Sequence, residues 1–126
     1  MPRSVIALFC ACLLAFAAGC GESDQEKARE VVQDYVEASN GDDFERVCEL
    51  YSDEFKEQLG IEQNCAGFVE EQSSGVEQEL QLVEVRVNGD RGSAEVDAVR
   101  EEEGGPARIR LLLEQTDGEW RISGFQ

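Results

Sequence analysis

The spacing of hydrophobic residues changes once along this chain, near residue 75. From residue 24 onward, apolar side chains recur every three or four positions, the spacing that places them on one face of an α-helix. Ser23 with Glu26 has the pattern of a capping box and predicts a helix that begins there and ends near Asn40. Three shorter helices are predicted to follow, the first two with cap signals at Asp42-Asp43 and at Ser52. The apolar faces of the four helices are Ala28, Val31, Val32, Tyr35 and Val36; Phe44, Val47, Cys48 and Tyr51; Phe55 and Leu59; and Ile61, Cys65, Phe68 and Val69.

Beyond residue 75 the hydrophobic period is two, which predicts β-strands. Four strands are expected, separated by turns at 88–90, 101–106 and 117–118. Leu80 and Leu82 are out of phase with Val83, which predicts a bulge or a bend within the first strand. The strand positions predicted to face the helices are Val83, Val85, Val87, Ala94, Val96, Ala98, Ile109, Leu111 and Leu113.

Helices followed by a run of hairpin-linked strands predict the α+β class, with N-terminal helices packed on an antiparallel four-stranded sheet. The other face of that sheet carries charges of both signs, and a meander places opposite charges across from one another. A dimer that buried this face would need a matched partner for each arginine, at a cost of several kcal/mol, so a monomer is expected. The charged positions are Arg86, Glu95, Asp97, Arg108, Arg110 and Arg121.

The N-terminus has the layout of a secretory signal peptide. Arg3 precedes an unbroken run of fourteen apolar residues, Val5 to Ala18. A helix that crosses the hydrocarbon core of a bilayer needs about 20 such residues, so this run predicts a cleaved leader rather than a membrane-spanning segment.

Residues 17–20, with the sequence Ala-Ala-Gly-Cys, resemble the lipobox of bacterial lipoproteins. The resemblance implies that the Cys20 thiol receives a diacylglyceryl group and that the chain is cut just before it. The predicted organisation is a signal peptide at 1–19, a lipidated cysteine with a short tether at 20–23, and one domain at 24–126. The protein is then exported and held by lipid on the extracytoplasmic face of the cell membrane. The alternative is ordinary cleavage after Ala17, which would release a soluble protein.

The five cysteines fit this organisation. Cys10 and Cys12 leave with the leader, and lipid would occupy Cys20. Cys48 and Cys65 remain, and a pair of thiols in an exported domain favours a disulfide. Zinc is the rival use, but two thiols without any histidine cannot fill a four-ligand site. A bridge between them would stabilise the domain by about 3 kcal/mol in the chain-entropy model.

The chain is strongly acidic, with a formal net charge of −17. Arg3 is the only charge in the leader, so the mature chain carries 10 basic against 28 acidic residues, a net charge of −18. Nucleic acid is excluded as a partner, because binding to phosphates relies on lysine and arginine. Anionic lipid headgroups would also repel this surface. A solvated acidic surface is the favoured interpretation, and attraction to a cationic ligand or partner is the alternative.

The order of elements resembles that of the nuclear transport factor 2-like superfamily, over residues 24–126. The resemblance implies a cone in which N-terminal helices pack on a strongly curved antiparallel sheet, with a cavity between them. Members use this cavity for isomerase or cyclase chemistry or for binding alone. A cystatin-like fold, with one long helix on a sheet, is the alternative, although three further helices count against it. The residues that carry the resemblance are Val32 to Gly41 followed by Asp42, the helical Cys48 with Cys65 nearby, and the closing run Asp117-Gly118-Glu119-Trp120-Arg121-Ile122.

The sequence offers little acid–base chemistry. It contains no histidine, and none of the strand positions predicted to face the helices is titratable. Tyr35, Tyr51 and Asp34 are the remaining candidates, and a tyrosine on an apolar helix face is usually part of the core. Neither Asp42-Asp43 nor 101–103 has the alternating oxygen pattern of a calcium loop, so no metal and no cofactor is expected.

The sequence therefore predicts a lipid-anchored accessory or binding domain without catalytic residues, for a ligand or partner that the residues do not identify. Tyr35, Tyr51 and Trp120 are the candidate pocket residues, with Phe44, Phe55 and Phe68 as further aromatic candidates. Two alternatives stay open. One is a small isomerase or cyclase that uses Tyr35 or Tyr51, and the other is a structural envelope protein without a ligand.

Overall fold

A computed structural model describes residues 23–101 and 105–126. Four helices precede four strands, as the sequence predicts, and they form an α+β domain. No helix in these two ranges is long and apolar enough to cross a membrane. The helices are α1 Asp24–Asn40, α2 Phe44–Leu50, α3 Asp53–Leu59 and α4 Cys65–Ser73; the strands are β1 Glu79–Asn88, β2 Arg91–Val99, β3 Ala107–Thr116 and β4 Glu119–Phe125.

Side-chain caps start the first three helices where the sequence predicts them. Ser23 Oγ accepts a hydrogen bond from the backbone N–H of Glu26 at 3.2 Å. Asp43 caps α2 in the same way at 3.2 Å, and Ser52 caps α3 at 3.1 Å. Each bond satisfies one of the backbone donors that a helix leaves unpaired at its first turn. Local sequence is therefore sufficient to place these three helix starts.

The fourth helix begins later than its apolar pattern predicts. Ile61 lies outside α4, and its backbone N–H donates to the carbonyl of Lys56, closing the end of α3. Gly60, with φ of 68°, adopts the left-handed conformation that allows this closure. Ile61 is buried, so its apolar character reflects core packing rather than membership of the helix.

The sheet is a meander in the order β1-β2-β3-β4, with every neighbouring pair antiparallel. The predicted irregularity in β1 is a bulge: Leu82 opposes Val96 and Glu84 opposes Glu95, so Val83 is the extra residue. The prediction that Val83 faces the helices is wrong, because its side chain is 42% exposed. Leu80 is buried instead.

The outer sheet face is charged, as predicted. Glu95 opposes Arg110 and Asp97 opposes Arg108 in the β2–β3 register. Arg108 Nε lies 2.9 Å from Asp97 Oδ1, and Arg110 lies 3.4 Å from Glu95. The Arg108 guanidinium, through its hydrogen bonds to Asp97, lowers the pKa of that carboxyl below its ordinary value.

The inner sheet face and the helices enclose one hydrophobic core. A disulfide joins Cys48 of α2 to Cys65 of α4, in keeping with the predicted pairing. The junction of α2 and α3 is held to β4 by a hydrogen bond from the Ser52 N–H to the Ile122 carbonyl at 2.8 Å. The largest side chains that are almost wholly excluded from solvent are Trp120, Leu111, Leu113, Ile122, Val32, Val47 and Val96.

Candidate functional site

A cleft of about 910 Å³ opens between the helices and the concave side of the sheet. Its walls come from the last turns of α1, from α2 and its C-cap, from α3 and α4, and from the segment that joins α4 to β1. The sheet contributes one residue each from β1, β3 and β4. The lining residues are Tyr35, Ser39, Asn40, Asp42, Val47, Tyr51, Phe55, Leu59, Phe68, Val69, Gln72, Ser73, Val76, Glu77, Gln78, Leu80, Ile109 and Phe125.

Four aromatic rings form one wall of the cleft. Tyr51 packs edge-on against Phe55 and Phe125, with ring centroids 5.1 and 5.9 Å apart. Tyr35 and Phe55 lie 6.1 and 5.7 Å from Phe125. These distances are typical of favourable aromatic pairs. The four rings come from α1, α3, β4 and the C-terminus of α2, and their contacts join these elements. Tyr35, Tyr51, Phe55 and Phe125 together form the aromatic wall of the cleft.

Three large apolar side chains in the lining of the cleft are exposed to solvent. Leu59, Val76 and Phe125 are 42%, 41% and 40% exposed. They are three of the five large hydrophobic side chains that are exposed within the described residues; the other two, Val83 and Val99, do not line the cleft. Single exposed apolar side chains are common on protein surfaces. Several of them in one concave site instead indicate a binding surface.

The two tyrosines of the aromatic wall are protonated at neutral pH. Burial raises the pKa of Tyr35, and a hydrogen bond with Ser39 opposes this effect in part. Burial also raises the pKa of Tyr51, by a larger amount. A phenol with a raised pKa can donate a hydrogen bond but is a poor general base, since it resists losing its proton.

Two carboxylates lie on the rim of the cleft, Asp42 and Glu77, and both residues are exposed. Asp42 follows α1 with φ of 56°, in the left-handed region that aspartate and asparagine tolerate better than most residues. Neighbouring Asp43 has a different role, since it caps α2. Asp42 has no calcium-loop pattern around it, and Glu77 is not among the residues that the sequence predicts for a site. The only local signal for Glu77 is its position beside Val76, an apolar residue in an otherwise polar connection.

The structure separates the predicted pocket residues. Tyr35 and Tyr51 both line the cleft. Trp120 does not line the cleft, because it is 2% exposed and is part of the hydrophobic core. This corrects the expectation that it lines a pocket. Asp34 also lies outside the cleft, where it forms an ion pair with Arg46 at 2.9 Å. Phe55 and Phe68 line the cleft, whereas Phe44 does not.

Several predictions concern residues that the structure does not describe. The signal peptide, the lipidation of Cys20 and most of the tether fall within residues 1–22, and the acidic turn at 101–103 falls partly within 102–104. Cys48 and Cys65 are described, and their disulfide lies outside the lining of the cleft. Among the described residues, no group of three or more histidine, cysteine, aspartate or glutamate side chains is placed to hold a metal ion.

Comparison with protein families and solved structures yields a family without an assigned activity and a shared fold. A family model described as a domain of unknown function, DUF4864, matches residues 21–126. No curated protein matches. An NTF2-like protein of unknown function from Shewanella baltica OS155 is 14% identical with a TM-score of 0.57, covering 79% of this chain and 88% of its own.

Two further structures have the same fold and carry suggested activities. A suggested ketosteroid isomerase from Kribbella flavida is 17% identical with a TM-score of 0.54, covering 80% of this chain and 78% of its own. A suggested polyketide cyclase from Sinorhizobium meliloti is 14% identical with a TM-score of 0.55, covering 77% of this chain and 94% of its own. At these identities the similarity establishes the nuclear transport factor 2-like fold, with its curved sheet, and leaves activity to be argued from the cleft.

Proposed function

We propose that this chain, which belongs to the DUF4864 family of domains of unknown function, is an exported, lipid-anchored protein whose cleft binds an apolar ligand without transforming it. The observation that carries the binding role is the gathering of exposed apolar side chains at the cleft mouth. Leu59, Val76 and Phe125 are each at least 40% exposed around one opening. A ligand that covered them would remove apolar surface from water at three points at once.

The residues inside the cleft favour binding over acid–base catalysis. The chain contains no histidine, and burial keeps Tyr35 and Tyr51 protonated. The carboxylates of the cleft, Asp42 and Glu77, belong to exposed residues that are not part of the aromatic wall. A general base for proton abstraction needs a position within hydrogen-bond reach of a bound substrate and a pKa moved toward neutrality.

An isomerase or cyclase is the second candidate function, because both tyrosines line one cleft and proteins of the same fold carry those suggested activities. In such an enzyme a neutral phenol would donate a hydrogen bond to a developing oxyanion. Turnover of a ketosteroid or a polyketide by the purified protein, lost in Tyr35→Phe or Tyr51→Phe with folding retained, would establish this candidate and overturn the non-catalytic proposal.

The anchoring part of the proposal rests on the leader and on Cys20, whose sequence resembles a lipobox. In the structure, α1 begins at Asp24, so three residues separate Cys20 from the helix. A helix of 17 residues is about 25 Å long, and the cleft rim at Asn40 and Asp42 lies at its far end. A domain anchored at Cys20 with α1 standing off the membrane would open its cleft toward the aqueous side.

The binding role can be tested with Nile red, a neutral apolar dye whose fluorescence rises in an apolar site. The mature chain carrying Cys20→Ser should bind it saturably. Replacing Leu59 and Val76 together with serine should weaken binding by roughly tenfold, the effect of withdrawing two apolar side chains from the contact.

A matched control comes from the same class of residue. Val83 and Val99 are 42% and 37% exposed and lie outside the cleft, so their replacement by serine should leave the dye affinity unchanged. Equal losses in both double variants would show that the dye binds elsewhere. No saturable binding at all would overturn the proposal and favour a structural envelope protein without a ligand.

A further inference from the structure

We infer that the ligand of the cleft is an organic cation, an alkyl- or arylammonium compound whose apolar part lies along the aromatic wall and whose charged nitrogen sits at the mouth. This inference rests on the proposed binding function and specifies the chemistry of the ligand. Three features of the cleft support it: the sign of its charges, the lack of ion-pair partners for those charges, and its aromatic composition.

The lining of the cleft carries charge of one sign only. Among its eighteen residues are two carboxylates, Asp42 and Glu77, and neither lysine nor arginine. This is not true of a second large crevice among the described residues, which mixes acidic residues with Arg46, Lys56 and Arg121. A ligand with an anionic head would meet two like charges at the cleft mouth, whereas a cationic head would meet two opposite ones.

The two carboxylates are available to a ligand. Some acidic side chains elsewhere are paired with arginine, as Asp97 is with Arg108 at 2.9 Å. Within the described residues, neither Asp42 nor Glu77 has a cationic side chain within ion-pair distance. Arg100 approaches the cleft indirectly, since its Nε donates to Gln78 Oε1 at 3.2 Å, but it is not a lining residue.

The aromatic wall suits a cation that is poorly hydrated. Ring faces attract ammonium groups through their negative quadrupole, and quaternary ammonium ligands are commonly bound this way. Phe125 is 40% exposed and lies at the mouth, in contact with Tyr35 and Tyr51. The tyrosines stay uncharged, so they add ring surface without adding a charge of their own. The net charge of −17 further favours the approach of a cation.

Three ligands of equal chain length separate the charge from the apolar contribution: octyltrimethylammonium, n-octanol and octanoate. Calorimetric titration into the mature Cys20→Ser chain should give the tightest binding for the ammonium, about tenfold tighter than n-octanol, from the combined attraction of rings and carboxylates. Octanoate should bind more weakly than n-octanol.

The carboxylates can then be removed with little change of shape. The double variant Asp42→Asn with Glu77→Gln should reduce the ammonium affinity by about threefold, the carboxylate share of its preference over n-octanol, while leaving n-octanol unchanged. Asparagine tolerates the left-handed backbone of residue 42, so this variant should fold. Glu45→Gln with Glu62→Gln removes the same charge from exposed positions outside the cleft and should leave all three affinities unchanged.

The outcomes distinguish this inference from the proposed function beneath it. If n-octanol and the ammonium bind equally, the cation inference fails and the apolar cleft stands. If both double variants weaken ammonium binding equally, attraction comes from the overall charge and the assignment to the cleft mouth fails. If none of the three ligands binds, the proposed function fails with it.

Discussion

The side chain of Asn40 is paired in both directions with the backbone of Leu80. Its Nδ2 donates to the Leu80 carbonyl at 3.0 Å, and its Oδ1 accepts from the Leu80 N–H at 2.8 Å. Leu80 lies on β1, an edge strand of the sheet, so the amide takes the position that a neighbouring strand would occupy. These two bonds fasten the end of α1 to the sheet at the rim of the cleft.

Loss of this contact should destabilise the domain. Asn40→Ala leaves a donor and an acceptor of β1 without their partner, and we expect the free energy of unfolding to fall by about 1–3 kcal/mol in urea denaturation. Asn40→Asp keeps the acceptor but loses the donor, so its effect should be intermediate at neutral pH. Asn64→Ala serves as the control, because Asn64 makes no side-chain cap hydrogen bond at the start of α4. Equal losses for Asn40→Ala and Asn64→Ala would show that the two bonds contribute nothing.

The disulfide between Cys48 and Cys65 should contribute to stability. The two residues are 17 positions apart, and closing a loop of that size stabilises the folded state by about 3 kcal/mol in the chain-entropy model. Replacing both with serine should lower the free energy of unfolding by about that amount. The wild-type chain unfolded in the presence of a reductant should match the variant, and an unchanged denaturation midpoint in either case would contradict the prediction.

The two tyrosines of the chain should resist alkaline titration while the protein is folded. Burial raises the pKa of both above the ordinary value of about 10. Stability from the neutral phenols is therefore complete below about pH 10 and is lost as the pH rises above it, because the unfolded chain then releases protons that the folded chain retains.

The measurement is the ultraviolet absorbance of tyrosinate as a function of pH, in the folded protein and in urea. We expect the folded protein to titrate at higher pH than the unfolded chain. Tyr51→Phe should leave one titrating group with a smaller upward shift. Coincident curves for folded and unfolded protein would show that neither phenol is buried in solution.

Cys20 should carry the lipid anchor. Expressed in a bacterium, the protein should partition into the membrane fraction, and mass spectrometry should show an acylated N-terminal residue at position 20. Cys20→Ala should abolish the modification and leave the uncut leader attached. Cys12→Ala, which changes a cysteine within the leader, should have no effect. Cleavage after Ala17 with an unmodified Cys20 would contradict the anchoring proposal.

The charged outer face of the sheet should remain in water, so we expect a monomer. Arg108 and Arg110 pair with carboxylates of their own chain, and a dimer through this face would have to desolvate these ion pairs. Size-exclusion chromatography with light scattering should give the monomer mass over the accessible concentration range. A stable dimer would contradict the prediction, and loss of that dimer in Arg108→Ala would place its interface on this face.

Features that depend on neighbours in sequence were predictable. The caps at Ser23, Asp43 and Ser52 each use a bond to a backbone N–H three residues ahead, so the necessary partners are visible in the sequence. The strand order and the charged outer face follow from alternation and from short turns. The irregularity in β1 also appears in the sequence as a change of phase, although the pattern wrongly predicts that Val83 faces the helices. Val83 and Leu80 have similar side chains, and pairing with β2 decides which of them faces the core.

The sequence by itself determined the class of the fold, its element order, the cysteine pairing to be expected and the acidic surface, because each depends on composition or on short-range patterns. Only the tertiary structure decided the cleft. In the folded domain Trp120 is buried in the core, and Tyr35 and Tyr51 line the same cleft as Leu59 and Val76. These side chains are distant in sequence, and packing of α1, α3 and α4 on a curved sheet brings them together. Local sequence patterns do not predict which apolar residues this packing buries and which it leaves exposed at the cleft.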